Sequence, residues 1–219
     1  MLRAQCVLFD GFDLLDVVAP FEVLHAGGTA GGGAIAVELV SAEGPREVPS
    51  GVGPALRATA RLDPGAADLV IVPGAAGRVP APGAEETRED DVPAILGRTL
   101  GTELPGLLGE AVNASGVTVA TVCGGSLVLA LAGLTEGRPA TTHHEGLDLL
   151  DATGTVVVEA RIVDDGDLVT AAGVTSGLDL GLYLLEREVG PRIAHSVERL
   201  FAHERRGVVW RAEGPEAVA

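Results

Sequence analysis

Short runs of β-branched and aliphatic residues alternate along the chain with longer Ala/Leu-rich stretches. The short runs predict strands at 4–9, 34–40, 68–72 and 117–122. The longer stretches predict a helix at 16–26, helical structure within 94–114 interrupted at Pro105-Gly106, and a helix from Ser126 onward. Helices over 175–189 and 193–205, separated by Pro191, close the chain. Pro20 falls near the first turn of the helix at 16–26, where a missing N–H does least harm. Residues 27–33 read as a glycine-rich break, 48–60 as an irregular or hairpin excursion, and 78–93 as a long exposed loop rich in Pro, Gly and acid. Gly133 or Gly137 stops the helix that starts at Ser126, and 134–139 is a turn. A short strand at 140–142 precedes a helix at 143–150. The runs 156–163 and 168–172 flank Asp164-Asp165-Gly166-Asp167, a hairpin signal, so the sheet is not purely parallel.

Alternating β and α segments with loops at strand ends predict a doubly wound α/β sheet. In such sheets ligands bind outside the carboxyl ends of the strands. Phe9-Asp10-Gly11, Val72-Pro73-Gly74 and Val122-Cys123-Gly124 are strand ends of this kind. No internal repeat or second boundary is visible, and the 219 residues read as one domain, 1–219.

Composition narrows the function classes. A net charge of −16 argues against a nucleic-acid partner. All the basic residues are Arg, which excludes Schiff-base lysine chemistry. The longest apolar runs are strand-sized, so no membrane span is expected. The N-terminal apolar run meets Asp10 at once and reads as a buried strand rather than a secretory signal, which points to the cytoplasm. The two cysteines fall on different strands and suggest reduced thiols. No Cys/His cluster has metal-ligand spacing, and no phosphate-binding glycine loop is recognisable, so neither metal nor cofactor is expected.

Candidate chemistry centres on Thr121-Val122-Cys123-Gly124-Gly125, where a strand ends in cysteine and two glycines lead into a helix. This is the layout of a nucleophile elbow with sulfur as the nucleophile. Amides opening the helix would lower the thiol pKa and offer donors to an oxyanion, with Gly124 as the turn-maker that exposes the sulfur. Cys6, inside an apolar run, reads as a core thiol. Asp16 caps the first helix, exchanges a proton with the sulfur, or does both, with Asp10 and Asp13 as nearby rivals. His143, after a short strand, is either a base near neutral pH or a histidine bonded to backbone. His144 beside it is expected to point away, and His25, His195 and His203 fall in predicted helices. Gly74 and Gly124 are candidate oxyanion donors through their backbone N–H groups, or simple turn-makers.

These motifs together resemble the DJ-1/PfpI (ThiJ/PfpI) superfamily, particularly its isonitrile hydratase-like branch and the amidotransferase-like domain of AraC-type regulators. The resemblance is carried by Phe12 to Leu24, Val72-Pro73-Gly74, Val122 to Gly125, Leu131 to Arg138, Ala140 to His143 and Ala172 to Asp179. It implies a flavodoxin-like three-layer α/β sandwich of the class I glutamine amidotransferase type, usually dimeric. It also implies a reactive Cys123, an acidic partner at Asp16 and a small-molecule substrate. Gly124 departs from the histidine of the PfpI-type proteases and from the threonine of isonitrile hydratases. The expected function is a cysteine-dependent enzyme acting on a small electrophile, with isonitrile hydration as one form. The alternative is a non-catalytic ligand or oxidant sensor. Because the chain ends at Ala219 with no DNA-binding half following, direct transcription control is not expected.

Overall fold

The computed structural model describes residues 1–80 and 88–215, so part of the loop expected at 78–93 lies outside the described residues. The strands are β1 (Leu2–Leu8), β2 (Ile35–Ser41), β3 (Arg46–Pro49), β4 (Ala55–Ala58), β5 (Ala60–Arg61), β6 (Leu69–Val72), β7 (Thr118–Val122), β8 (Pro139–Ala140), β9 (Val156–Val157), β10 (Ile162–Asp164), β11 (Leu168–Ala171) and β12 (Trp210–Arg211). The helices are α1 (Leu14–Ala30), α2 (Val92–Leu100), α3 (Leu104–Asn113), α4 (Gly125–Leu131), α5 (Leu147–Ala152), α6 (Ser176–Glu188) and α7 (Pro191–Phe201).

Eight strands form one sheet in the order β12-β10-β11-β7-β6-β1-β2-β5. Neighbours run parallel except for the β10–β11 hairpin. The middle strands β6 and β11 are buried at every position, as continuous apolar runs covered on both faces require. Helices α1, α6 and α7 pack together as one layer, and α2, α3, α4 and α5 as the other. The result is the flavodoxin-like three-layer arrangement, with the ends of β1, β6, β7 and β11 opening on one edge. No helix among the described residues is long and apolar enough to cross a membrane.

Several local expectations give way to tertiary packing. Helix α1 begins earlier and ends later than expected. Its first turn is capped by Asp13, and it runs through Gly27 and Gly28 to Ala30. Those glycines are contact positions inside the helix rather than a break. A Cβ on Gly27 would stand 2.4 Å from Leu185 Cδ1, and one on Gly28 would stand 2.2 Å from the Ile35 carbonyl oxygen. Pro20 therefore lies in mid-helix, where a Cβ added to Gly181 of α6 would come 3.2 Å from its Cα. The break between α2 and α3 falls at residues 101–103, and Pro105 sits in the first turn of α3 rather than at an interruption. The 48–60 excursion is the antiparallel β3–β4 hairpin. The helix expected at 143–150 is a short 3-10 turn, His144–Gly146, followed by α5. Pro191 opens α7, and His203 lies beyond its end. Strand β12 has no signal in the apolar pattern.

The α1–α6 contact makes a direct test. A Cβ on Gly181 would already stand 2.9 Å from Val23 Cβ. Gly181→Leu is expected to cost about 1–3 kcal/mol by overpacking. Gly97→Ala, on an exposed face of α2 with nothing within 4 Å of the new Cβ, is expected to gain up to about 1 kcal/mol from helix propensity. Urea denaturation of both variants measures the contrast.

Candidate active site

At the junction of β7 and α4 the backbone turns on Cys123 itself. Its φ is +54°, and among the described residues only Ala202 shares a positive φ without being glycine. Left-handed backbone at such a residue costs about 1–2 kcal/mol. Hydrogen bonds on both sides hold it. The Cys123 amide donates to the Ala171 and Ala172 carbonyls at 3.0 Å each, and the Thr142 hydroxyl donates to the Cys123 carbonyl at 2.7 Å. Gly125 is the residue that must be small, because its Cβ would lie 2.2 Å from the Val72 carbonyl oxygen. Gly124 is not the turn-maker. Its φ is −68°, and a Cβ there would meet only Gly74 Cα at 3.6 Å and Ala75 N at 3.9 Å, which is ordinary contact.

Asp16 is not the cap of α1. Asp13 caps it, accepting the Leu15 amide at 2.9 Å and the Asp16 amide at 3.4 Å, which leaves the Asp16 side chain free to turn inward. That side chain is completely buried. Its Oδ2 accepts the Gly74 N–H at 2.9 Å, while Oδ1 has no hydrogen-bond partner among the described residues. Burial pushes the Asp16 carboxyl up to about 8, and the nearby Asp13 charge adds to the shift. The Gly74 amide and the Cys123 side chain pull against it. At neutral pH the carboxyl is mostly protonated and able to donate. The Gly74 amide, committed to Asp16, is therefore not a free oxyanion donor.

The thiol moves in the opposite direction from the sequence expectation. Burial and the Asp16 carboxylate raise the Cys123 pKa well above the ordinary thiol range, although the Gly124 and Val174 amides favour the thiolate. Two amides and a seven-residue helix do not offset removal from water. Cys6 behaves as expected of a core thiol, pushed up to about 12 by burial alone. Both cysteines are free.

His143 caps the 3-10 turn, and its Nδ1 accepts the Glu145 amide at 3.3 Å. The neutral ring therefore carries its proton on Nε2. The ring lies against Gly173, where a Cβ would come within 2.9 Å of His143 Cδ2. Burial first, then His144, lowers the His143 pKa and keeps the ring neutral at pH 7. His143, His144 and Glu145 also bring one potential metal-ligand atom each to within 4.8 Å of one another. A search for separated Cys/His ligand spacing misses that grouping.

Cys123, Gly124 and His143 line one cavity of about 410 Å³, together with Asp13, Glu145, Val174 and a largely apolar wall. His144 lines a different hollow. Asp16 and Gly74 sit behind the cysteine, outside the cavity lining. The sequence offers Asp13 only as a rival to Asp16 and gives Val174 no separate role, yet both line the cavity. Asp is a preferred N-cap residue, and Asp13 stands immediately before α1. Val174 follows β11, another strand end opening on the same edge.

A sequence profile of the DJ-1/PfpI family matches residues 102–187. The chain is 34% identical over 198 residues to isonitrile hydratase from Pseudomonas putida, covering 90% of this chain and 76% of the relative. It is 38% identical over 89 residues to the HTH-type transcriptional regulator CdhR from Pseudomonas aeruginosa, covering 40% of this chain and 26% of the regulator. Among solved structures, a ThiJ/PfpI family protein from Pseudomonas syringae superposes with a TM-score of 0.74 at 23% identity, covering 94% of this chain and 76% of that one.

The Asp16 shift has a consequence for stability. The carboxyl ionises near 3.8 in the unfolded chain and near about 8 in the folded protein. Between those values the folded state holds the extra proton. Its stabilising contribution is therefore complete below the lower value and lost as pH rises through the upper one. Urea denaturation at pH 5 and pH 8.5 should show wild type losing more stability than Asp16→Asn, by on the order of 5 kcal/mol at most. Parallel pH profiles would contradict a protonated Asp16.

Proposed function

This chain belongs to the DJ-1/PfpI family, and from the pairing of Cys123 with a buried, protonated Asp16 we propose that it is a cysteine-dependent enzyme hydrating a small electrophile, an isonitrile first of all. The observation that carries the reading is the half-unpartnered Asp16 carboxyl behind a sulfur that faces a cavity. The 34% identity to isonitrile hydratase supports the substrate class.

In this reading the Cys123 sulfur bonds to the terminal carbon of R–N≡C. Asp16 gives its proton to that carbon and takes the thiol proton in return, so that S–H adds across the carbon to give R–N=CH–S–Cys123. Water then adds across the C=N bond, its oxygen to the same carbon and its proton to nitrogen, while His143, whose Nδ1 is taken by the Glu145 amide, orients that water by donating from Nε2–H. The C–S bond then breaks, the hydroxyl proton passes by way of Asp16 to sulfur, and the formamide R–NH–CHO leaves. The net reaction is R–NC plus water to R–NHCHO, with both residues restored. A raised thiol pKa suits this scheme, since the proton on sulfur is one that the reaction uses. The Gly124 and Val174 amides hold charge on sulfur as the bond forms.

The second reading is a sensor, supported by the match to the regulator CdhR. Oxidant sensing draws on an exposed thiolate, whereas Cys123 is buried and its pKa raised. Ligand sensing is the form of this reading that fits the site.

Formamide release from cyclohexyl isonitrile is the test. Cys123→Ala should abolish it, and Asp16→Asn should lower kcat by about 10²–10⁴-fold with little change in KM. Turnover retained in Cys123→Ala would overturn the mechanism. Gly124→Thr has room for its Cβ and is expected to fold, which circular dichroism checks. Its added hydroxyl is expected to raise kcat by offering a second proton relay.

A further inference from the structure

The cavity in front of Cys123 combines two properties that bear on its ligand. Its lining is largely apolar, with Leu127 buried and Val52, Val79, Leu131 and Leu149 exposed at its rim. Those four rim residues are 60%, 56%, 39% and 44% exposed and make up four of the nine large hydrophobic side chains left exposed among the described residues. An apolar rim continuous with a cavity floor that carries the sulfur marks where a substrate's tail lies.

The second property is charge. Among the described residues, the ionisable groups lining the cavity besides the cysteine are Asp13, Glu145 and His143. His143 accepts the Glu145 amide at Nδ1 and is not a fixed cation, so the fixed charges are both negative. No arginine lines the cavity among the described residues, and the chain has no lysine. A carboxylate or phosphate entering here would lose its water, meet no countercharge and face two acids. An uncharged ligand with a hydrocarbon tail loses nothing comparable and buries apolar surface on both sides.

We propose that this cavity selects uncharged electrophiles carrying an apolar chain or ring, and rejects anionic ones. Leu127, Leu131 and Leu149 receive the tail, while Asp13 and Glu145 supply the exclusion. The proposal deepens the function given above and rests on Cys123 being the reacting atom. It names the substituent R that the enzyme accepts, an aliphatic or alicyclic group, and excludes carboxylate-bearing isonitriles and 2-oxo acids.

Covalent labelling of Cys123 tests this without requiring turnover. Rates for N-ethyl-, N-butyl- and N-hexylmaleimide, and for iodoacetamide against iodoacetate, are read by mass spectrometry of the Cys123 peptide. Each is divided by the rate for glutathione. Each buried methylene should add about threefold, so the hexyl reagent should exceed the ethyl one by tenfold or more. Iodoacetate should fall at least about tenfold below iodoacetamide after the same normalisation. Leu131→Arg, at a half-exposed position on α4, should raise the iodoacetate ratio and flatten the chain-length series, with circular dichroism and the urea midpoint confirming the fold. A normalised rate independent of chain length would overturn the proposal, because a rim covered by a second copy of the chain or closed to ligands gives that result. Equal rates for the neutral and anionic reagents would also overturn it. Tail-dependent labelling without isonitrile turnover would leave the selectivity standing and remove the enzymatic reading. Turnover without tail dependence would do the reverse.

Discussion

Between the ends of β6 and β7 there is no room for a side chain. A Cβ on Gly74 would stand 2.6 Å from the Gly124 nitrogen and 3.0 Å from Asp16 Oδ2, and one on Gly125 would stand 2.2 Å from the Val72 carbonyl oxygen. This backbone-on-backbone approach brings the Gly74 amide to a carboxyl arriving from α1 and sets the elbow directly over both. Three segments distant in sequence thereby converge on one sulfur. The left-handed backbone of Cys123 is held because β11 accepts its amide and Thr142 donates to its carbonyl. Local strain of that kind persists where the surroundings over-determine it.

The same packing sets the electrostatics. Sealing Asp16 behind the cysteine removes it from water, so the site rests with protons on both carboxyl and sulfur rather than as an ion pair. Such an arrangement keeps the Cys123–Asp16 pair neutral at rest, and charge appears on it only when a reacting carbon is present to share it. His143 completes the set on the solvent side, neutral through its own burial and with its tautomer fixed by the Glu145 amide.

Much of this was legible in the chain. Apolar runs as continuous as Leu69–Val72 cannot be satisfied outside a covered sheet, and a strand ending in Cys-Gly-Gly announces a tight turn. The hairpin around Gly166 was equally plain. What the chain concealed was decided by partners far away in sequence. Gly27 and Gly28 look like a break but are small because Leu185 and the Ile35 carbonyl occupy their Cβ positions. Asp13 and Asp16 are both plausible caps, and only the approach of Gly74 shows which one turns inward. The direction of the thiol shift depended on burial, and burial is a property of the assembled layers. Strand β12, short and half exposed, carries no pattern to read.

Gly124 has a meaning that its neighbours lack. Gly74 and Gly125 are locked by contact with backbone, so any change there disturbs the scaffold. Position 124 faces the cavity beside the sulfur, with an ordinary helical φ and free space where a side chain would begin. It is an interchangeable fitting in an otherwise rigid frame. A protein built this way can acquire or discard a reactive group next to its nucleophile while its architecture stays untouched, so new chemistry can arise on this fold without first passing through an unstable ancestor.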